Sequence, residues 1–161
     1  MENRIERVLF EDTKFIYKTN FSGDPDRDGY GSTTRKGCVI IPDEELAQAL
    51  LADGFNVKIS RPTIEGAEPQ HYINIIVNYE SKWPPKIYLV SGEKGRVLLD
   101  RDTVGMIDDI YVRNVNVSLS PHINKRTGRK TLYVDTMYVE QEIDRDPFAA
   151  RYARHNDDIN F

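Results

Sequence analysis

Cysteine is almost missing from this chain: Cys38 is the only one in 161 residues. That rules out an internal disulfide and a multi-cysteine metal site, and it suits a reducing compartment. No apolar run approaches the roughly 20 residues that a membrane-spanning helix needs. The start, Met1-Glu2-Asn3-Arg4, lacks the basic-then-apolar layout of a secretion signal. The expected location is therefore the cytoplasm, with no membrane partner. A surplus of basic residues is missing as well. A net charge of −4 argues against a uniformly basic nucleic-acid binder, but not against one whose cations are gathered in one place.

Signatures of catalysis and of cofactors are also lacking. His71, His122 and His155 match no metal-ligand spacing. Asp24-Pro25-Asp26-Arg27-Asp28-Gly29 begins like a calcium loop, but Arg35 stands at the twelfth position, where a bidentate glutamate is required. It reads instead as part of a mobile loop. Gly29-Tyr30-Gly31-Ser32 lacks the Gly-Lys-Ser/Thr ending of a phosphate-binding loop. No Gly-x-Ser-x-Gly elbow occurs, and the carboxylates form no recognisable acid/base or two-metal pattern. No enzymatic activity, catalytic residue, metal or cofactor is expected. Cys38 lies in the apolar run Cys38–Ile41 and reads as a small core residue.

What the sequence does have is alternation. Phe55, Val57 and Ile59 alternate with polar residues, as do Ile73, Ile75 and Val77, and again Val115, Val117 and Leu119. Period two with one apolar side predicts antiparallel strands with one wet face. Shorter strands are expected at Phe15–Thr19, Gly37–Ile41, Ile87–Val90 and Val97–Leu99. In the last long strand, Thr131–Ile143, Leu132 and Val134 share one parity while Met137 and Val139 take the other. A bulge near Asp135-Thr136 would restore a single apolar face.

One principal helix is expected, capped by Asp43, striped by Leu46, Ala47, Leu50 and Leu51, and ended by Gly54. A helical turn is expected at Thr103–Asp109. A short C-terminal helix would start at Asp146-Pro147 and reach about Arg154. The fold class is mainly β: a small antiparallel barrel of the oligonucleotide-binding (OB) kind, with one principal helix and a short C-terminal helix and tail. The expected division is a barrel domain over 1–143 and, over 144–161, a short helix and a disordered acidic tip. Periodicity alone does not separate a barrel from a sandwich.

The aromatic and basic residues suggest a use for such a barrel. Binders of single strands combine a cationic groove with rings on which bases stack. Tyr72, Tyr88, Tyr133 and Tyr138 fall on the polar parity of their strands, and so do Lys58 and Lys86. Rings there also serve to cover apolar surface or to pair across strands. The long loop after Phe15–Thr19 carries Phe21, Tyr30, Arg35 and Lys36. Lys125, Arg126, Arg129 and Lys130 crowd what reads as a hairpin tip, suited to closing over a phosphate backbone. Trp83, in the rigid Trp83-Pro84-Pro85 loop, either stacks on a base or caps a barrel end.

The last residues are Asp157-Asp158-Ile159-Asn160-Phe161. Two carboxylates, an isoleucine and a terminal phenylalanine give the chain's own core nothing at a polar terminus. A partner with an apolar pocket for Ile159 and Phe161 and a basic lip for Asp157 and Asp158 could use them. This peptide resembles the acidic tip of bacterial single-stranded DNA-binding proteins, with Asn160 where that family has proline. Most of the chain resembles the OB-fold single-stranded DNA-binding proteins of tailed bacteriophages. The likeness lies in the Phe15–Phe21 strand and its Gly-rich loop, and in Ile-Pro-Asp-Glu-Glu-Leu-Ala at the helix start. Asp53–Lys58, Asn114–Pro121 and Tyr133–Val139 complete it. The resemblance implies sequence-tolerant protection of single-stranded DNA during phage replication or recombination, without catalysis. The tip then implies recruitment of replication or repair proteins. A second reading stays open: a protein-interaction module, such as a phage inhibitor or adaptor, that mimics the tip to engage host replication proteins. A homo-oligomer is compatible with either reading.

Overall fold

The computed structural model describes residues 7–28, 31–61, 66–92 and 95–142. The expected helix at 146–154 and the tip at 157–161 lie outside them. The described strands are β1 (Val8–Thr13), β2 (Phe15–Asn20), β3 (Arg35–Ile40), β4 (Lys58–Ile59), β5 (His71–Val77), β6 (Lys86–Val90), β7 (Arg96–Leu99), β8 (Val112–Ile123) and β9 (Lys130–Gln141). They join in one open mixed sheet whose main path runs β1-β8-β9-β5-β3-β2. The arrangement is mainly β and consistent with a small barrel-like OB fold. A four-residue helix, α1 (Pro25–Asp28), follows β2, and α2 (Glu44–Ala52) lies between β3 and β4. A 3-10 turn, Val104–Asp109, occupies the expected short helical position. No helix among the described residues is long and apolar enough to cross a membrane.

β9 is the axis of the sheet. One edge pairs with β8 in a long hairpin, from Val112↔Gln141 to Ile123↔Lys130. The other edge is divided between β5, at Ile75↔Leu132 and Ile76↔Tyr133, and β6, from Lys86↔Thr136 to Val90↔Glu140. Both of these pairings are parallel, which corrects the expectation of a purely antiparallel barrel. Alternation reports which side of a strand is wet and carries nothing about the direction of its neighbour. Leu119 faces Val134 and Ser118 faces Thr136, so Asp135 is the extra residue of a bulge. The bulge turns Leu132, Val134, Met137 and Val139 to one interior, as their change of parity requires.

That interior also receives Phe10, Val39, Ile75, Ile87, Val115 and Leu119, all essentially without exposure. Burying each such side chain contributes about 1.5–3 kcal/mol before the entropy of ordering it is counted. At α2 the Asp43 carboxylate accepts the Glu45 amide at 3.0 Å, and Gly54, at φ +91°, ends the helix. Ala47 and Leu50 are buried and Leu46 is partly so, but Leu51 faces solvent. The apolar stripe is thus narrower than expected.

Three further expectations are corrected. Phe55–Ser60 is not a continuous strand. Lys58 and Ile59 pair with β5, Phe55 makes an isolated parallel bridge with Lys130 and drops into the core, and Ile59 stands exposed. Phe21 is fully buried, so it presents no ring to a nucleic acid. Its ring sits over Gly37, where a Cβ would approach Phe21 Cζ to 2.8 Å. Because the inward side of β3 is Gly37, Val39 and Ile41, Cys38 points to the other face, half-buried. A glycine under a ring hides this parity from a hydropathy pattern.

Candidate nucleic-acid interface

The register lines up the face opposite the core strand by strand. Ile16 lies beside Cys38, and Cys38 beside Asn74. Tyr72 lies between Ile40 and Lys58. Lys36 neighbours Ile76, Ile76 neighbours Tyr133, and Tyr133 neighbours Ser120. Past the bulge, Lys86 pairs with Thr136, and Tyr138 lies between Tyr88 and Asn116. Tyr72, Tyr88, Tyr133 and Tyr138 are all half-buried here, while Lys58 and Lys86 are exposed at the margins.

Each of these tyrosines has an aromatic companion. Tyr88 and Tyr138 stack at 4.8 Å with their planes 14° apart. Arg96 lies over Tyr88 at 5.0 Å and donates from Nη1 to the Tyr138 hydroxyl at 3.1 Å. His122 meets Tyr133 edge-on at 5.4 Å. Tyr17 meets Tyr72 edge-on at 5.2 Å. The edge-on and stacked pairs leave ring faces and edges at the surface on which a further planar group can lie. Nothing in the sequence pattern marks Tyr17, Arg96 or His122 for this face. Tyr17 sits where the β2–β3 register shifts between Ile16 and Asn20, at a φ of +64°. Such strained backbone in a bulky residue has no signature in hydropathy.

Several expected cations are already engaged. Arg35 donates to the Phe21 carbonyl at 2.7 Å and lies 5.5 Å over Tyr79, so it ties the loop after β2 to the sheet. Lys130 donates to the Asp53 carbonyl, lies 3.3 Å from the Asp53 carboxylate, and covers the Phe55 ring at 5.5 Å. It anchors the end of α2, which sets it apart from the hairpin cations. Lys125, Arg126 and Arg129 are exposed at the tip. There Asn124 Oδ1 accepts the amides of Arg126 and Thr127 at 2.9 and 3.2 Å, and Gly128, at φ +74°, closes the turn. Tyr30 lies outside the described residues, and Trp83 is 81% exposed on its loop beside Tyr133.

A buried carboxylate builds the loop after β2. Asp108, with 1% of its side chain exposed, accepts from the Thr19 hydroxyl at 2.7 Å and from the Phe21 and Ser22 amides at 2.8 and 3.0 Å. Arg27 closes over it, donating to the carbonyls of Thr19 and Asp108 at 2.8 and 2.7 Å. The Asp24–Asp28 segment is thus a clasped turn, and among the described residues no group of three His, Cys, Asp or Glu is arranged to hold a metal ion. Burial pushes the Cys38 thiol pKa up, and Lys58 and Lys36 only partly oppose this. Burial likewise raises Tyr72, with the Tyr17 hydroxyl adding to the effect.

An open β-face bearing paired rings, rimmed by lysines and extended by a cationic hairpin, has the make-up of a single-strand nucleic-acid-binding domain. Over residues 1–159 the sequence matches the family described as "putative phage ssDNA-binding domain", and the chain belongs to that family. No curated protein matches it.

Proposed function

We propose that this protein coats single-stranded DNA along the face that carries Tyr72, Tyr133 and Tyr138, without catalysis and with little sequence preference. The setting is the replication or recombination of phage DNA in the host cytoplasm. The observation that supports this most is the gathering of Tyr17–Tyr72, His122–Tyr133 and Tyr88–Tyr138 on one face of a chain that belongs to a single-stranded DNA-binding family. Lys36, Lys58 and Lys86 flank the path and the 125–129 tip continues it, so phosphates meet cations while bases meet rings. Arg35 and Lys130 serve the fold first.

Cys38 offers a test of where the strand lies. It sits between Ile16 and Asn74 on the proposed path, and its raised pKa keeps the thiol protonated and slow to alkylate at neutral pH. Alkylation by iodoacetamide should speed up as pH rises above the ordinary thiol range. At a fixed pH it should slow in proportion to occupancy by oligothymidylate. Binding with no protection of Cys38 would move the path off this face.

The proposal extends to Asp157, Asp158, Ile159 and Phe161 as the recruiting peptide for replication or repair proteins. Removing Asp157–Phe161 is expected to leave DNA affinity unchanged or slightly raised, because phosphate repulsion is lost, and to abolish partner capture. Phe161→Ala should weaken capture strongly, since burying a phenylalanine supplies about 1.5–3 kcal/mol. Pull-downs from host lysate with intact, Phe161→Ala and truncated chains check this. Identical partner sets from all three would leave the tip without a role.

A further inference from the structure

Resting on the single-strand reading above, we infer that the cleft between Trp83 and Tyr133 is a one-base subsite that favours a base with an exocyclic amino group, cytosine over thymine among pyrimidines. The cleft has a volume of about 460 Å³ and is lined by Trp83, Tyr133, His122, Pro121, Ser120 and Asp135, among others. That volume lies within the range of small-ligand sites. Trp83, 81% exposed, lines it together with Tyr133 and the His122 ring packed edge-on against Tyr133.

Beside the neutral polar groups of Asn78, Ser81 and Ser120, the cleft carries the carboxylate of Asp135, which is unusual for a surface that tracks phosphates. Asp135 is the bulge residue of β9, and 27% of its side chain is exposed. The Ser120 hydroxyl donates to its Oδ2 at 2.5 Å, and the exposed Arg7 approaches the same oxygen at 3.5 Å. These contacts hold a carboxylate that accepts hydrogen bonds and donates none. With Arg7 offsetting part of its charge, the carboxylate still disfavours phosphate and favours a donor on whatever lies beside the rings. Cytosine offers its N4 amino group, a recognised partner for aspartate. Thymine offers only N3–H, set between two carbonyl oxygens that a carboxylate repels.

Trp83 is the chain's single tryptophan, so its fluorescence reports on this cleft, while polarisation of a fluorescein-labelled strand reports binding anywhere on the protein. The intact chain is titrated at neutral pH with labelled oligodeoxycytidylate and oligothymidylate of equal length, following both signals. Both strands should bind. Quenching of Trp83 should reach half-saturation at about fivefold lower concentration for the cytosine strand, as expected for the net contribution of one hydrogen bond. Asp135→Asn keeps an acceptor for Ser120 and adds an amide that can donate to thymine O4. It should bring the ratio to about one or invert it, with an unchanged circular dichroism spectrum. Binding without quenching of Trp83, equal affinities in the wild type, or a preference that survives Asp135→Asn would overturn the subsite and leave single-strand binding standing. No polarisation change with either strand would overturn both.

Discussion

Alanine at Tyr72, Tyr133 and Tyr138 together is expected to cost at least about a hundredfold in single-strand affinity while the sheet stays folded. Each ring lost from a base stack removes about 1–3 kcal/mol, and three losses at the low end already exceed two decades. The Tyr138 change should be the largest of the three taken singly. It removes the hydroxyl that receives Arg96 and the ring stacked on Tyr88, so two neighbours lose their positions with it. Stability should fall far less than affinity, because these rings lie opposite Leu132, Val134, Met137 and Val139 and take no part in that core. Phe21→Ala supplies the contrast. Its ring is wholly interior, so stability should drop by about 3–5 kcal/mol. Strand titrations by polarisation, paired with thermal melts, separate the two classes of variant. Full DNA affinity in the triple tyrosine variant would show that this face is ordinary covered surface.

Replacing Lys125, Arg126 and Arg129 by alanine should act differently, through salt. Each cation paired with a phosphate on a single strand contributes roughly 0.7 to the slope of log affinity against log salt. If all three engage, the variant's slope should be shallower by about 2. Its affinity should lie well below wild type in dilute salt and converge with it as salt rises. Lys130 is deliberately kept. Its ammonium holds the Asp53 carbonyl and covers Phe55, so removing it would confuse a folding defect with a binding defect. Parallel salt plots for wild type and variant would place the hairpin tip away from the DNA.

Much of this face is legible in the sequence because tyrosines on the polar parity of β5, β6 and β9 must lie together once those strands pair. The bulge at Asp135 is legible for a related reason: only an extra residue reconciles Leu132 and Val134 with Met137 and Val139. Other features leave no such mark. β1 begins Val8-Leu9-Phe10 and ends Glu11-Asp12-Thr13, with no alternation to announce a strand. Its bend at Asp12, φ +52°, is held by side-chain bonds from Asn114 and to Asn116, more than a hundred residues away. Phe21 sits in a stretch that reads as loop, yet it is interior because Gly37 makes room for its ring. Lys130 belongs to a basic cluster in sequence, and only the bridge between Phe55 and Lys130 brings it to Asp53. Arg96 lies on a short edge strand and acquires a place at the site only through the β6–β7 pairing that sets it against Tyr88.

Whether this face holds single-stranded DNA is read from an equilibrium titration of the intact chain. The ligands are a labelled mixed-sequence single strand and the duplex of the same sequence, each followed over a series of salt concentrations. The single strand should bind more tightly at every salt concentration, with affinity falling steeply as salt rises. Equal affinity for strand and duplex, or a signal indifferent to salt, would contradict single-strand binding on this face.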